Sequence, residues 1–317
     1  MQTAENSITL SSRQILAQVR QVIVGKDQTL TWVLAAMLCG GHILLEDIPG
    51  VGKTTLAVAF SRVLGLDYNR VQFTPDVLPS DVTGFTVLDQ STGQMTYKPG
   101  AVLCNLFLAD ELNRATSRTQ SALLEAMEEN QVTVDGISHP LPDPFLVIAT
   151  QNPTGAAGTQ LLPDSQMDRF AIRLSLGYPQ AADEMNMVLS RLKKDPMDDL
   201  TPLMRAEDFA AIQTQVAATH ISDSIVEYIV RLIAATRSHE QILRGASPRA
   251  TLCVTDMAKA IAQLCGRDYV IPRDVREVFL RCIPHRLLLT PRAESSGVRP
   301  SEILAQIADS VKAPLVR

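Results

Sequence analysis

One octapeptide limits what this chain can fold into more than any other feature. Asp47-Ile-Pro-Gly-Val-Gly-Lys-Thr54 stands between a short apolar run, His42-Ile-Leu-Leu-Glu46, and a stretch at helical spacing that ends at Leu64 before Gly65. A strand, a glycine-bearing loop and a helix in this order make a phosphate-binding loop. Gly50 and Gly52 let the backbone approach an anion, and the amides at the helix N-terminus point at it. Lys53 then reaches the β and γ phosphates, and Thr54 offers a hydroxyl to Mg²⁺. Asp47 stands where the pattern usually has its first glycine. Aspartate tolerates a left-handed backbone, but its charge leaves the nucleotide affinity open.

The apolar pattern around the loop extends the reading to a fold. Residues 12–40 carry apolar positions at helical spacing, interrupted at Val24-Gly25, and predict two helices. Further strands are expected at 68–73, 106–110 and 145–150, with a helix over 116–129 between the last two. Strands alternating with helices predict a parallel sheet covered on both faces. Two hairpins interrupt it, over 85–98 around Gln90-Ser-Thr-Gly93 and over 132–139 around Asp135-Gly136. Neither is expected to serve the core. Beyond Tyr178-Pro179 everything reads as helix: 181–193, 206–219, 222–239, 248–266, 272–287 and 300–311, three of them opening on proline. The expected organisation is a helical N-terminal segment (1–40), an α/β phosphate-binding core (41–179) and an all-helical lid (180–317). A length of 317 residues suits two cores.

Composition excludes more than it assigns. With 46% hydrophobic and 20% charged residues the chain is globular. No apolar run spans a bilayer, and the first residues do not form a signal peptide, so a cytoplasmic location is expected. A formal charge of -5 gives no general attraction to nucleic acid. The adjacent basic pair Lys193-Lys194 is followed by Asp195, Asp198 and Asp199, which reads as a solvated loop. The five cysteines are scattered and predict buried free thiols, and the histidines show no metal-ligand spacing.

Leu106-Phe-Leu-Ala-Asp-Glu111 is an apolar strand ending in two acids. Asp110 is expected to hold Mg²⁺ through its waters, and Glu111 to orient or activate the attacking water. The competing reading, two acids capping the next helix, is displaced by the upstream loop. Asn152, at the carboxyl end of a strand, is either a sensor of the γ-phosphate or a turn residue before Pro153. Thr116-Ser-Arg-Thr119 and the stripe Leu123, Leu124, Met127 read as a helix cap and a core face.

With these motifs in order the chain resembles the AAA+ ATPases, and among them the MoxR group. The resemblance rests on Leu45-Glu-Asp-Ile-Pro-Gly-Val-Gly-Lys-Thr54, Asp110-Glu-Leu-Asn-Arg-Ala115, Gln120-Ser-Ala-Leu-Leu-Glu-Ala-Met127, Ala149-Thr-Gln-Asn-Pro153, Leu162-Pro-Asp-Ser-Gln-Met-Asp-Arg-Phe170 and Gly245-Ala-Ser-Pro-Arg249. It implies that the nucleotide is ATP, held with Mg²⁺ by Pro49, Gly50, Val51, Gly52, Lys53, Thr54 and Thr55, with Val24 and Gly25 near the base. A plain helix break is an equal reading of those last two. It implies Asn152 as the first sensor, Arg249 as a second sensor and Arg169 as a finger that reaches a neighbour's nucleotide. From the residues alone, either arginine could cap a helix or pair with an acid of its own chain. Arg114 is a second candidate finger.

The resemblance further implies a homo-oligomeric ring, usually a hexamer, with the hairpins facing a central pore. It also implies chaperone-like work on client protein complexes, with partners that include von Willebrand factor A domain proteins. Three other readings stay open beside this motor: a nucleotide-gated scaffold with little turnover, a motor subunit of a magnesium chelatase, and, least supported, a DNA motor.

Overall fold

The computed structural model describes residues 7–91, 93–152, 162–192 and 194–315. Thr92 of the first hairpin turn, Pro153 and Lys193 lie outside them. Two helices open the chain, α1 (Ser7–Val22) and α2 (Asp27–Leu38). They are followed by β1 (His42–Glu46), α3 (Lys53–Leu64), β2 (Tyr68–Gln72), α4 (Pro79–Thr83), and the hairpin β3 (Gly84–Leu88) with β4 (Met95–Pro99). Next come β5 (Leu106–Asp110), a 3-10 turn Leu112–Arg114, α5 (Ser117–Glu129), the hairpin β6 (Gln131–Val134) with β7 (Ile137–Pro140), β8 (Leu146–Gln151), α6 (Asp164–Met167) and β9 (Phe170–Leu174). The rest comprises α7 (Ala181–Arg191), α8 (Ala206–Ala217), α9 (Asp223–Ser238), β10 (Ile242–Arg244), α10 (Pro248–Leu264), α11 (Pro272–Cys282), β11 (Leu288–Leu289), α12 (Pro291–Ser295) and α13 (Pro300–Ser310).

The main sheet has the order β2-β5-β8-β1-β9, and every pairing in it is parallel. Alternate residues of β1, β5 and β8 enter different cores, as the twofold side-chain period requires. Ile43, Leu45, Leu106, Leu108, Leu146 and Ile148 join α1, α2 and α3 on one face. Leu44, Phe107, Ala109, Val147 and Ala149 join Leu123, Leu124 and Met127 of α5 on the other. Burial on both sides explains why these strands are continuously apolar rather than alternating. The first cluster continues without a break into Ile229, Leu232, Val254, Met257, Val275 and Phe279 of α9, α10 and α11. The N-terminal helices are woven into this join, with Thr9 Oγ1 donating to the Gln263 carbonyl at 2.9 Å.

Several expectations are corrected. The region after Tyr178 is not wholly helical, because β10 and β11 pair antiparallel and His220 bridges Tyr269. Strands of two and three residues are too short to show a period. The fifth strand of the sheet, β9, and the short helix α12 also had no distinct sequence signal. The expected helix 272–287 ends at Cys282, followed by a 3-10 turn Pro284–Arg286. The hairpins are not idle: Val132 is buried in the second core, and the Tyr97 and His139 rings stack with centroids 3.7 Å apart, joining one hairpin to the other. Cys265 is exposed, against the expectation that every thiol is buried. The Asp135-Gly136 turn does take positive φ at both residues, 51° and 79°. No helix among the described residues is long and apolar enough to cross a membrane.

Candidate functional site

The phosphate-binding loop leaves the carboxyl end of β1 and enters α3 at Gly52, which caps the helix in the left-handed conformation at φ 94°. Gly50 is also left-handed, φ 85°, and no other residue stands within 4 Å of where its Cβ would be. An open concavity of backbone at a helix start is the shape that a polyphosphate needs. The Lys53 Nζ donates to the carbonyls of Asp47 at 2.7 Å and Ile48 at 3.3 Å, holding the loop in its curve. Burial pushes the Lys53 ammonium below its usual range, opposed by the charges of Asp47, Asp110 and Glu111.

Asp47 does not face the loop's interior. Its carboxylate accepts from Ser175 Oγ at 2.7 Å and from the backbone amides of Leu176 at 2.6 Å and Gly177 at 3.1 Å. The charge is spent on tying the loop to the chain beyond β9. The other side of the loop is formed by the α1 to α2 connection. Ile23 lies 4.0 Å from where a Gly52 Cβ would be, and Lys26 Nζ donates to the Tyr178 carbonyl at 2.8 Å. A Cβ on Gly25 would fall 2.0 Å from Asp183 Oδ2, so a side chain there requires the Asp183 carboxylate to move, and the left-handed φ of 73° adds strain.

The two acids are fixed by a hydroxyl. Thr150 Oγ1 on β8 donates to Asp110 Oδ1 at 2.6 Å and accepts from the Glu111 amide at 2.8 Å. Glu111 is left-handed, φ 56°, a conformation that costs a non-glycine residue and recurs at functional sites. Buried Gln120 braces the turn that follows, its Nε2 donating to the Leu112 and Ala115 carbonyls at 3.2 Å each. Each acid also has an arginine: Arg70 on β2 donates to Asp110 Oδ2 at 2.6 Å, and Arg114 pairs with Glu111 at 2.8 Å. Asn152 follows β8 on the same edge, its carbonyl accepting from Asn113 Nδ2 at 3.3 Å.

Arg169 and Arg249 are elsewhere. Arg169 immediately precedes Phe170, whose Cα is level with His42 at the start of β1, whereas the loop begins after Glu46 at its end. A five-residue strand spans about 16 Å, so Arg169 and the loop lie on opposite edges of the sheet. Arg249, in the first turn of α10, joins it there. Arg169 donates to Glu128 at 2.8 and 2.9 Å, and Arg249 pairs with the same carboxylate. Arg169's hydrogen bond, with Arg249 beside it, holds the Glu128 carboxyl below its usual range.

The predicted residues therefore form two groups. Val24, Gly25, the 49–55 loop, Asp110, Glu111 and Asn152 gather at the carboxyl edge, and Arg169 and Arg249 at the amino edge. Sequence reasoning missed Arg70, Thr150 as a relay, and Glu128. Thr150 lies within Ala149-Thr-Gln-Asn-Pro153, but nothing in the spacing ties Arg70 or Glu128 to their partners.

Comparison with known proteins identifies the family. Residues 42–172 match the profile of the ATPase family associated with various cellular activities (AAA), and residues 234–307 match the AAA lid domain. The chain is 44% identical to the uncharacterised protein YeaC of Bacillus subtilis, over 94% of this chain and 93% of that one. It is 38% identical to the chaperone MoxR1 of Mycobacterium tuberculosis, over 94% of this chain and 81% of the relative. A crystal structure of an ATPase candidate from Cytophaga hutchinsonii superposes with a TM-score of 0.90 at 36% identity, covering 97% of this chain and 96% of that one.

Proposed function

The chain belongs to the MoxR family of AAA+ ATPases and is an ATP hydrolase, and from that premise we propose that each catalytic site is shared between two copies of the chain. The supporting observation is the separation of the arginines from the loop. Neither Arg169 nor Arg249 can reach a nucleotide on its own Lys53 while it stays at the amino edge with Glu128. Their position supports a role for each at the loop of a neighbour.

Within one chain, Lys53 and the amides of residues 50–55 bind the β and γ phosphates, and Val24 with Gly25 borders the base. The donors Thr54 and Asp110 are hard oxygens, which suit Mg²⁺. These two residues would hold the ion, which would supply neutralisation of charge on the phosphate oxygens. Glu111, partly exposed beside Arg114, orients the nucleophile and accepts its proton, while Thr150 keeps both acids in place. Asn152 reports the γ-phosphate. The clasp of Arg169 and Arg249 on Glu128 is partly exposed, and such pairs hold by only about 0–1 kcal/mol. A triphosphate presented by a neighbour can therefore displace Glu128 from both guanidiniums.

The assembly is a cytoplasmic ring, most simply a hexamer, in which hydrolysis moves the lid and the paired hairpins against client protein complexes, among them proteins with von Willebrand factor A domains. The relative named a chaperone supports this reading of the work done.

ATP turnover measured across protein concentrations, with mass followed in parallel, tests the shared site. The native rate is expected to rise faster than linearly with concentration. Glu111→Gln and Arg169→Ala should each lower it about 10³-fold while nucleotide still binds. A rate per subunit independent of concentration, with Arg169→Ala unaffected, overturns the proposal.

A further inference from the structure

The residues next to the two amino-edge arginines are bound to each other. Asp168, preceding Arg169, accepts from Ser247 Oγ at 2.6 Å through Oδ2, and Ser247 is the N-cap of the helix that carries Arg249. The other oxygen of Asp168 accepts from Arg286 Nη1 at 2.8 Å. Arg286 Nη2 donates to the Phe170 carbonyl at 2.7 Å, and His285 Nε2 lies 3.0 Å from that same oxygen. The Arg286 side chain is only 2% exposed, whereas those of Arg169 and Arg249 are 28% and 42% exposed.

A guanidinium so buried is costly unless it is paired and hydrogen-bonded, and it reaches Asp168 from the turn after α11. The sheet supplies Arg169, α10 supplies Arg249, and Arg286 with Asp168 and Ser247 joins their backbones beneath both. Glu128 then touches the outer ends of the two side chains.

We propose that Arg286 is a positioning residue for hydrolysis on the neighbouring copy: with Asp168 and Ser247 it fixes Arg169 and Arg249 as one unit, so that the two enter the neighbour's site together and only while the helical region is seated on the sheet. The inference rests on the shared-site reading above. Arg286 touches no nucleotide. It acts on a site in another chain through two surface arginines, and a general loss of structure would not produce that pattern.

Mixed assemblies test it. A subunit with Glu111→Gln has no turnover of its own but carries intact arginines, and can complete the site of a neighbour that lacks them. Asp168→Asn with Arg286→Met removes both buried charges together, so neither is left unpaired. Alone, this variant is expected to assemble and to bind nucleotide within twofold of the native chain, with kcat lowered at least tenfold and KM little changed. Mixing with Glu111→Gln subunits should restore its turnover to the extent seen with Arg169→Ala. Mixing with Arg169→Ala subunits should restore none.

If Arg169→Ala is rescued by Glu111→Gln and the double variant is not, the positioning role falls and the shared site stands. Native turnover in the double variant overturns it equally. If Arg169→Ala itself is not rescued, the shared site fails and this inference fails with it. Should the double variant not fold, Ser247→Gly takes its place, since glycine keeps most of the cap's value while removing the hydroxyl. It is expected to lose turnover three- to tenfold, rescued in the same mixture, and an unchanged rate overturns the proposal.

Discussion

At the residue scale, Asp47 shows how a departure from a motif can be structural. Its side chain satisfies two backbone amides and a hydroxyl that have no other partner in the described residues, and it points away from the concavity of Gly50 and Gly52. Unpaired buried donors cost about 1–3 kcal/mol each. Asp47→Ala is therefore expected to lower unfolding stability by about 2–4 kcal/mol in urea titration, with a smaller effect on nucleotide affinity measured in the folded population. The positions of Lys53, Asp110 and Glu111 at one edge of the sheet were legible because a loop of fixed spacing and an apolar strand ending in acids are local patterns. Glu128 and Arg286 were not, because they meet their partners across 41 and 118 residues of chain. The first contact exists only once α5 and β9 have come together, and the second only once the helical region has folded back on the sheet.

At the scale of elements, the central strands β1, β5 and β8 could be read because burial on both faces makes them continuously apolar, and the helices because their apolar positions recur at helical spacing. The hairpins were legible as turns but not as a joined pair, since Tyr97 and His139 come from different hairpins and meet face to face. Stacked rings contribute about 0.5–1.5 kcal/mol beyond the area that they bury. His139→Ala should loosen both hairpins together, which limited proteolysis would report as faster cleavage near 90–94 and near 135–136. Faster cleavage at one turn alone would mean that the hairpins are held independently.

For the whole molecule, two buried histidines make stability depend on pH. His42, at the start of β1, lies with Nε2 3.0 Å from the Met127 carbonyl and accepts the Val147 amide on Nδ1 at 3.1 Å, an arrangement of a neutral ring. Burial lowers its pKa from 6.5 to about 4. His285 is pushed down chiefly by burial, with the Arg286 charge adding to it. In the unfolded chain both rings take up protons as pH falls through 6.5, while the folded rings do not. Stability is therefore complete above that value and declines as pH drops toward 4, by about 3 kcal/mol for His42 at one pH unit per 1.36 kcal/mol. Thermal unfolding followed from pH 7.5 to 4.5 should show this slope, and His42→Gln should flatten it in part.

The sheet also has a polarity whose consequence is arithmetical. Lys53 and Glu111 stand at one edge and Arg169 and Arg249 at the other. On the shared-site reading, in a contact that repeats head to tail each copy gives its arginines to one neighbour and takes those of the other. An open row of n copies then holds n−1 completed sites, and only closure supplies the last. The shared-site reading therefore expects specific activity to climb with row length and to become uniform at closure, whatever number of copies closes it.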